Sequence, residues 1–152
     1  MAVSHIDSTV VDAAPVALSI PTPEEGIPTS LRQFINGIWS HNRSNDASDW
    51  ASDFASHVNY CYYNGGGLAD RNFIQRDREK LVDRYPSRNY RFTDAAVQMQ
   101  PDGNSARVHY TYSYSYGGAR KSASGSCRVS LTVRQTSGRW YIAEYDETVD
   151  RR

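Results

Sequence analysis

The chain has 152 residues, with 17 basic and 17 acidic side chains and no net formal charge. That length suits one domain with a full hydrophobic core, and the charge balance removes any electrostatic case for nucleic acid or an anionic membrane surface. Cys61 and Cys127 are too few for a disulfide scaffold or a zinc cage, and no apolar run reaches membrane-spanning length.

Residues 1–28 carry four prolines and no sustained period, which predicts a flexible tail or linker ahead of a domain at 29–150. The start lacks the basic and apolar segments of a signal peptide, so a cytoplasmic protein is expected. Ser30-Leu31-Arg32-Gln33 fits a capping box, and Leu31, Phe34, Ile35, Ile38 and Asn42 follow helical spacing, widened by Trp39. A second, shorter helix is expected from Asp46, burying Trp50 and Phe54. His57 to Tyr63 reads as a strand with Val58, Tyr60 and Tyr62 on one face, ended by Gly65-Gly66-Gly67. That glycine run has neither GxGxxG nor a following Lys-Ser/Thr, so it reads as a turn, and no cofactor is expected. Asp70 caps a third helix that ends before Pro86, with Phe73, Asp77, Leu81 and Tyr85 along one stripe.

From Asn89 onward the chain reads as strands and tight turns. Val108 to Tyr116 alternates bulky even with small or polar odd residues, the period of a strand with one buried face. Turns at Asp102-Gly103, Gly117–Arg120 and Ser137-Gly138 join four strands as a meander. With a four-residue loop at 117–120, Tyr116 pairs with Lys121, Val108 with Val129, Tyr110 with Cys127 and Tyr112 with Gly125. The two-residue turn then sets Val133 against Ile142, Leu131 against Glu144 and Val129 against Asp146. The first turn sets Met99 against Ala106 and Val97 against Val108. On this register the inner rows end in Glu144 and Asp146, while His109, Arg128, Tyr145 and Glu147 face out. Tyr90 and Phe92 face inward only if a β-bulge intervenes at Asp94-Ala95-Ala96, and such a bulge is expected to bend the sheet.

The fold class is therefore α+β: three N-terminal helices packed on a strongly bent, mostly antiparallel sheet, in the order α-α-β-α-β-β-β-β. This order, with the ending Gly138-Arg139-Trp140-Tyr141-Ile142, resembles the nuclear transport factor 2-like superfamily, nearest its polyketide-cyclase and ketosteroid-isomerase-like branches. The resemblance covers residues 30–149. It implies a cone with a pocket between sheet and helices, and a range of functions from isomerases, dehydratases and cyclases to non-catalytic binding modules. The family's enzymes commonly pair a pocket aspartate or histidine with a tyrosine. This chain departs from that pattern, with no tyrosine in the first helix and Asn59-Tyr60 where some isomerases carry an acid.

An inward carboxylate is costly unless it is paired or protonated, so Asp146, Glu144 and Asp77 are the candidate pocket acids. In a catalytic reading Asp146 or Asp77 is a general base and Tyr110 an oxyanion donor. Glu144, Tyr112, Tyr60, Trp39, Val108, Cys127 and Val129 are the expected pocket lining. Cys127 reads as a packed thiol because no histidine shares its face, and His41 and His57 read as surface or capping groups. The expected function is a non-catalytic module binding a small apolar or aromatic ligand or a partner, in one form an accessory domain of a larger bacterial protein. A homodimer through the polar outer face of the sheet is a further expectation. The alternative is a small cofactor-free isomerase, dehydratase or cyclase. No nucleic acid, membrane or metal partner is expected.

Overall fold

Ser4–Ile6 form strand β1, which pairs antiparallel with Ala95–Val97 at the edge of the sheet, and the rest of the expected tail up to residue 25 lies outside the described residues. The computed structural model describes residues 4–6, 26–62 and 65–151. Helix α1 (Thr29–Arg43) follows from its apolar spacing, and Leu31, Ile35, Ile38 and Trp39 are all buried. It starts two residues earlier than the predicted capping box allows, with Pro28 as an N-cap that makes no side-chain bond. Ser30 thus lies inside the first turn, where its Oγ accepts a bond from Trp140 Nε1 at 3.1 Å. Gly37 lies mid-helix with open space where a Cβ would go. Gly37→Ala is expected to raise stability by about 0.5–1 kcal/mol through helix propensity, read as a higher urea midpoint.

Asp46 caps α2 (Ala47–Ala51) by accepting from the Ser48 amide at 3.0 Å, and Trp50 is buried beneath it. Phe54, expected in this helix, instead opens strand β2 (Phe54–Tyr62). The cause is tertiary: the Asp53 carbonyl accepts from the Ile142 amide at 2.8 Å, which draws the chain into the sheet. The triple glycine also behaves differently from expectation. Gly65–Asp70 is a strand, β3, paired with β2 from Tyr62↔Gly65 to His57↔Asp70. Glycine carries no alternation, so periodicity could not reveal it.

Asp70 caps α3 (Arg71–Arg84) through the Phe73 amide at 2.8 Å. The expected stripe is rotated by about one residue, so that Ile74 and Arg78 are buried while Phe73 is exposed. Strands β4 (Ser87–Phe92), β5 (Ala95–Met99), β6 (Ser105–Gly117), β7 (Ser122–Thr136) and β8 (Arg139–Arg151) complete the chain. The sheet runs β1-β5-β6-β7-β8-β2-β3, with β4 also on β6, and among the described residues only the β2–β8 pair is parallel.

The inner face is set by two irregularities. Between β4 and β5 one residue is gained at Asp94: Phe92 pairs with Tyr112 and the Thr93 amide donates to the Thr111 carbonyl at 2.9 Å, yet Ala96 pairs with His109. This is the expected bulge, and it turns Tyr90 and Phe92 into the core. Trp39 stacks on Phe92 at 5.0 Å and meets Tyr110 edge-on at 5.5 Å, joining α1 to the sheet.

The β6–β7 pairing differs from the expected register by two residues. Gly117 still belongs to the ladder, opposite Ser122, so the loop is residues 118–121, Val108 faces Leu131 and Tyr112 faces Cys127. A slip of two preserves every facing. The second irregularity does not. Ser137 and Gly138, both at positive φ, make the expected tight turn, and Val133 pairs with Ile142. Thr132 then pairs with Glu144, so Ala143 is a bulge residue. Beyond it the faces exchange: Tyr145 is buried, Glu147 turns inward, and Glu144 and Asp146 are exposed.

His41, read as a surface group, pairs through Nδ1 with Asp53 Oδ2 at 2.7 Å. That hydrogen bond raises the His41 pKa against the opposing effect of burial, with Asp53 and Asp49 adding attraction. Burial pushes the Asp53 carboxyl up, against the pull of His41 and Arg139. The folded state therefore holds the His41 proton more tightly than the unfolded chain, where the value is 6.5. The contribution is complete below that value and lost as pH rises through the raised folded one. The urea midpoint is expected to fall as pH rises above 6.5 and through the raised folded value, and His41→Gln is expected to flatten that slope.

Candidate functional site

The cavity between α3 and the inner face of the sheet has a volume of about 820 Å³. Its helical wall is Asp77 and Leu81, which share one face of α3, and Tyr85 just beyond the helix end, with Lys80 and Arg84 at the exposed margin. Its strand wall comes from Tyr112, Tyr114 and Tyr116 on β6, Cys127 on β7, and Tyr145 and Glu147 on β8. Tyr60 on β2 and Arg78 on α3 close the inner end.

Glu147 is the central acid. Its Oε1 accepts from the Tyr145 hydroxyl at 2.6 Å and from the Tyr112 hydroxyl at 2.9 Å. Tyr145 and Glu147 are two apart on one strand and share its inner face, while Tyr112 reaches across from β6. Burial pushes both phenols well above their ordinary pKa, and the Glu147 charge adds to it, so at neutral pH they are protonated donors. Arg78 is buried with its guanidinium 4.1 Å from the Trp50 ring centroid, and its Nη1 donates to Asn42 Oδ1 at 2.8 Å. Burial alone works against its charge, but the oxygens of Tyr90, Tyr60, Tyr116 and Tyr145 favour it, and the net direction is upward. Burial, with Glu147 nearby, pushes the Cys127 thiol up to about 12, so it is a packed thiol and not a ready nucleophile.

The structure thus brings together Asp77, Tyr60, Tyr112 and Cys127 from the residues expected at a pocket. It separates the others. Glu144 and Asp146 lie on the outer face because of the Ala143 bulge. Trp39, Tyr110, Val108 and Val129 are buried but pack in the core away from this cleft. Glu147, Tyr145 and Arg78 went unrecognised as site residues. The first two were placed outward by the unbroken register. Arg78 could have been found as the cation beside Asp77 on the buried side of α3.

Asp146 instead borders a shallower groove of about 490 Å³ on the outer face, with His109, Arg128 and Thr148. There His109 Nδ1 lies 3.0 Å from Ser130 Oγ, and Arg128 Nε lies 3.6 Å from Asp150 Oδ2. These are exposed groups, and the ion pair at that distance adds little stability. Among the described residues no three His, Cys, Asp or Glu side chains converge to hold a metal, and no helix is long and apolar enough to cross a membrane.

No protein-family model matches the chain, and no curated protein matches its sequence. Solved structures do. Aln2 from a Streptomyces species is 18% identical with a TM-score of 0.69, covering 87% of this chain and 95% of its own. A proposed dehydratase of the nuclear transport factor 2-like family from Streptomyces avermitilis is 13% identical with a TM-score of 0.69, covering 81% and 96%. The fold is nuclear transport factor 2-like. A proposed scytalone dehydratase from Novosphingobium aromaticivorans aligns at 12% identity and a TM-score of 0.69, covering 80% of this chain and 82% of that one. Such likeness establishes the α+β cone and leaves the chemistry to the residues within it.

Proposed function

We propose that the protein is a small-ligand-binding module that takes an aromatic ligand into the cleft between α3 and β6–β8. The observation that carries this reading is the Tyr112–Glu147–Tyr145 arrangement on the wall of an 820 Å³ cavity. Ligand sites of roughly 300–1,000 Å³ are mostly apolar with a few oriented polar groups. Here aromatic rings supply the apolar surface, and the two phenols fix one carboxylate oxygen while Oε2 is left to meet a ligand.

A second reading is a cofactor-free lyase or isomerase with Glu147 as base, in place of Asp146 or Asp77. Two structural neighbours described as proposed dehydratases favour it. The geometry ranks it second. The Tyr112 and Tyr145 hydroxyls both donate to Glu147 Oε1, so neither is placed to donate to a developing oxyanion.

Titration with small aromatic compounds, followed by amide chemical shifts, tests the first reading. Perturbations are expected to cluster at Tyr112, Cys127, Tyr145 and the α3 residues facing them. Glu147→Gln is expected to weaken binding roughly tenfold or more, the worth of a charged hydrogen bond. Perturbations confined to the outer groove around His109 and Asp146 would sink it. Under the second reading Glu147→Gln abolishes turnover and leaves affinity nearly intact.

A further inference from the structure

The cleft is electrically graded, and the grading specifies its ligand. At the inner end stands Glu147, half-buried, with Oε1 already taken by two phenols. A carboxylate has only acceptor sites, so whatever meets Oε2 must donate. Asp77, also half-buried, adds a second acid on the facing helix. Arg78, buried against Trp50 at the same end, supplies a fixed positive charge. That cation offsets one of the two acids, and a neutral hydroxyl meets Oε2 without the desolvation cost of an ammonium. The opposite end differs. Lys80 and Arg84, one helical turn apart on α3, are exposed and border the opening. Between the two ends lie the rings of Tyr112, Tyr114 and Tyr116, with Tyr114 and Tyr116 only 4.5 Å apart.

We infer that the cleft takes an aromatic acid that carries a hydroxyl at its far end. The hydroxyl donates to Glu147 Oε2, the ring system lies along the tyrosines, and the anionic group stays at the opening between Lys80 and Arg84. This inference rests on the small-ligand reading above and narrows it to one chemical class. The inner contact is desolvated and dominates affinity. The outer one is exposed, screened by salt, and contributes less.

Three probes separate these elements by calorimetry on the full chain: 6-hydroxy-2-naphthoic acid, 2-naphthoic acid without the hydroxyl, and 2-naphthol without the acid. The hydroxy acid is expected to bind tightest, with loss of the hydroxyl costing roughly tenfold. Loss of the carboxylate is expected to cost about threefold to fivefold at low ionic strength and almost nothing at high ionic strength. Glu147→Gln is expected to cut the hydroxyl preference to about threefold or less, leaving the acid preference in place. The paired change Lys80→Gln and Arg84→Gln is expected to abolish the acid preference and its salt dependence, leaving the hydroxyl preference. Both sets are surface or conservative changes, and circular dichroism of each variant checks that it folds. The inference is overturned if 2-naphthol matches the hydroxy acid at low ionic strength, or if Glu147→Gln keeps the full hydroxyl preference. In either case the cleft still binds aromatics, and the broader reading stands. If none of the three binds, both readings fall together.

Discussion

Arg78→Ala is expected to destabilise the protein by about 3–5 kcal/mol, among the largest losses available from one side chain. Arg78 is 8% exposed, and its guanidinium lies 4.1 Å from the Trp50 centroid. A desolvated cation–π contact of this kind contributes about 2 kcal/mol. Truncation also strands Asn42, itself buried, whose Oδ1 receives Arg78 Nη1 at 2.8 Å. An acceptor left buried without its donor costs about 1–3 kcal/mol. A void beside Trp50 adds the remainder. Arg78→Met separates these parts, because it keeps much of the packing and loses only the charge and the bond. It is expected to fall about midway. Urea denaturation of both variants, and of Asn42→Ala alone and combined with Arg78→Ala, gives the coupling directly. If Arg78→Ala costs under about 1 kcal/mol, Arg78 is not structural and is held in the cleft for its charge alone.

The inner end of the cleft is where sequence reasoning succeeded and failed most informatively. Alternation along Val108–Tyr116 identified the inward set on β6 correctly: Val108, Tyr110 and Tyr112 are all buried. Turn chemistry located the hairpins, and the need to bury Tyr90 and Phe92 located the first bulge, because two aromatics cannot face water without an evident cost. The second bulge left no such trace. Ile142, Glu144, Asp146 and Thr148 form one plausible alternation, and Tyr145 with Glu147 another. Nothing local distinguishes them. The tertiary environment does: Tyr145 meets Trp50 edge-on at 5.7 Å and stacks on Tyr60 at 5.2 Å, burial that an outward Tyr145 would forgo. Two acids next to valine and leucine were the warning. Placing them outside and gaining Tyr145 satisfies the core at the cost of one unpaired residue, Ala143. The error was confined to a single strand, yet it exchanged Asp146 for Glu147 as the candidate pocket acid. Asp77 survived because helix faces are set by long periodicity, and a rotation of one residue moves a side chain to the margin and not to the opposite side.

The opening of the cleft depends on a contact that no side-chain pattern announces. Gly118, in the loop after β6, packs against the last turn of α3 so closely that an added Cβ would lie 2.2 Å from the Arg84 carbonyl oxygen and 3.3 Å from its carbon. Those atoms are backbone and cannot rotate away. Gly118→Ala must therefore separate the loop from the helix, and a loss of about 3 kcal/mol is expected, at the upper end for overpacking. The Gly118 amide also donates to the Lys121 carbonyl at 2.9 Å, so displacement strains the loop itself. Tyr85, which follows α3, lies 5.3 Å from Tyr116 in the adjoining strand, and both border the cleft. Lifting the loop pulls this pair apart and widens the opening. The expected signature is a lower urea midpoint together with faster amide exchange confined to residues 116–122 and the end of α3. Gly37→Ala, whose Cβ meets open space, moves the midpoint the other way. An unchanged midpoint in Gly118→Ala would show that the loop is already free of the helix in solution.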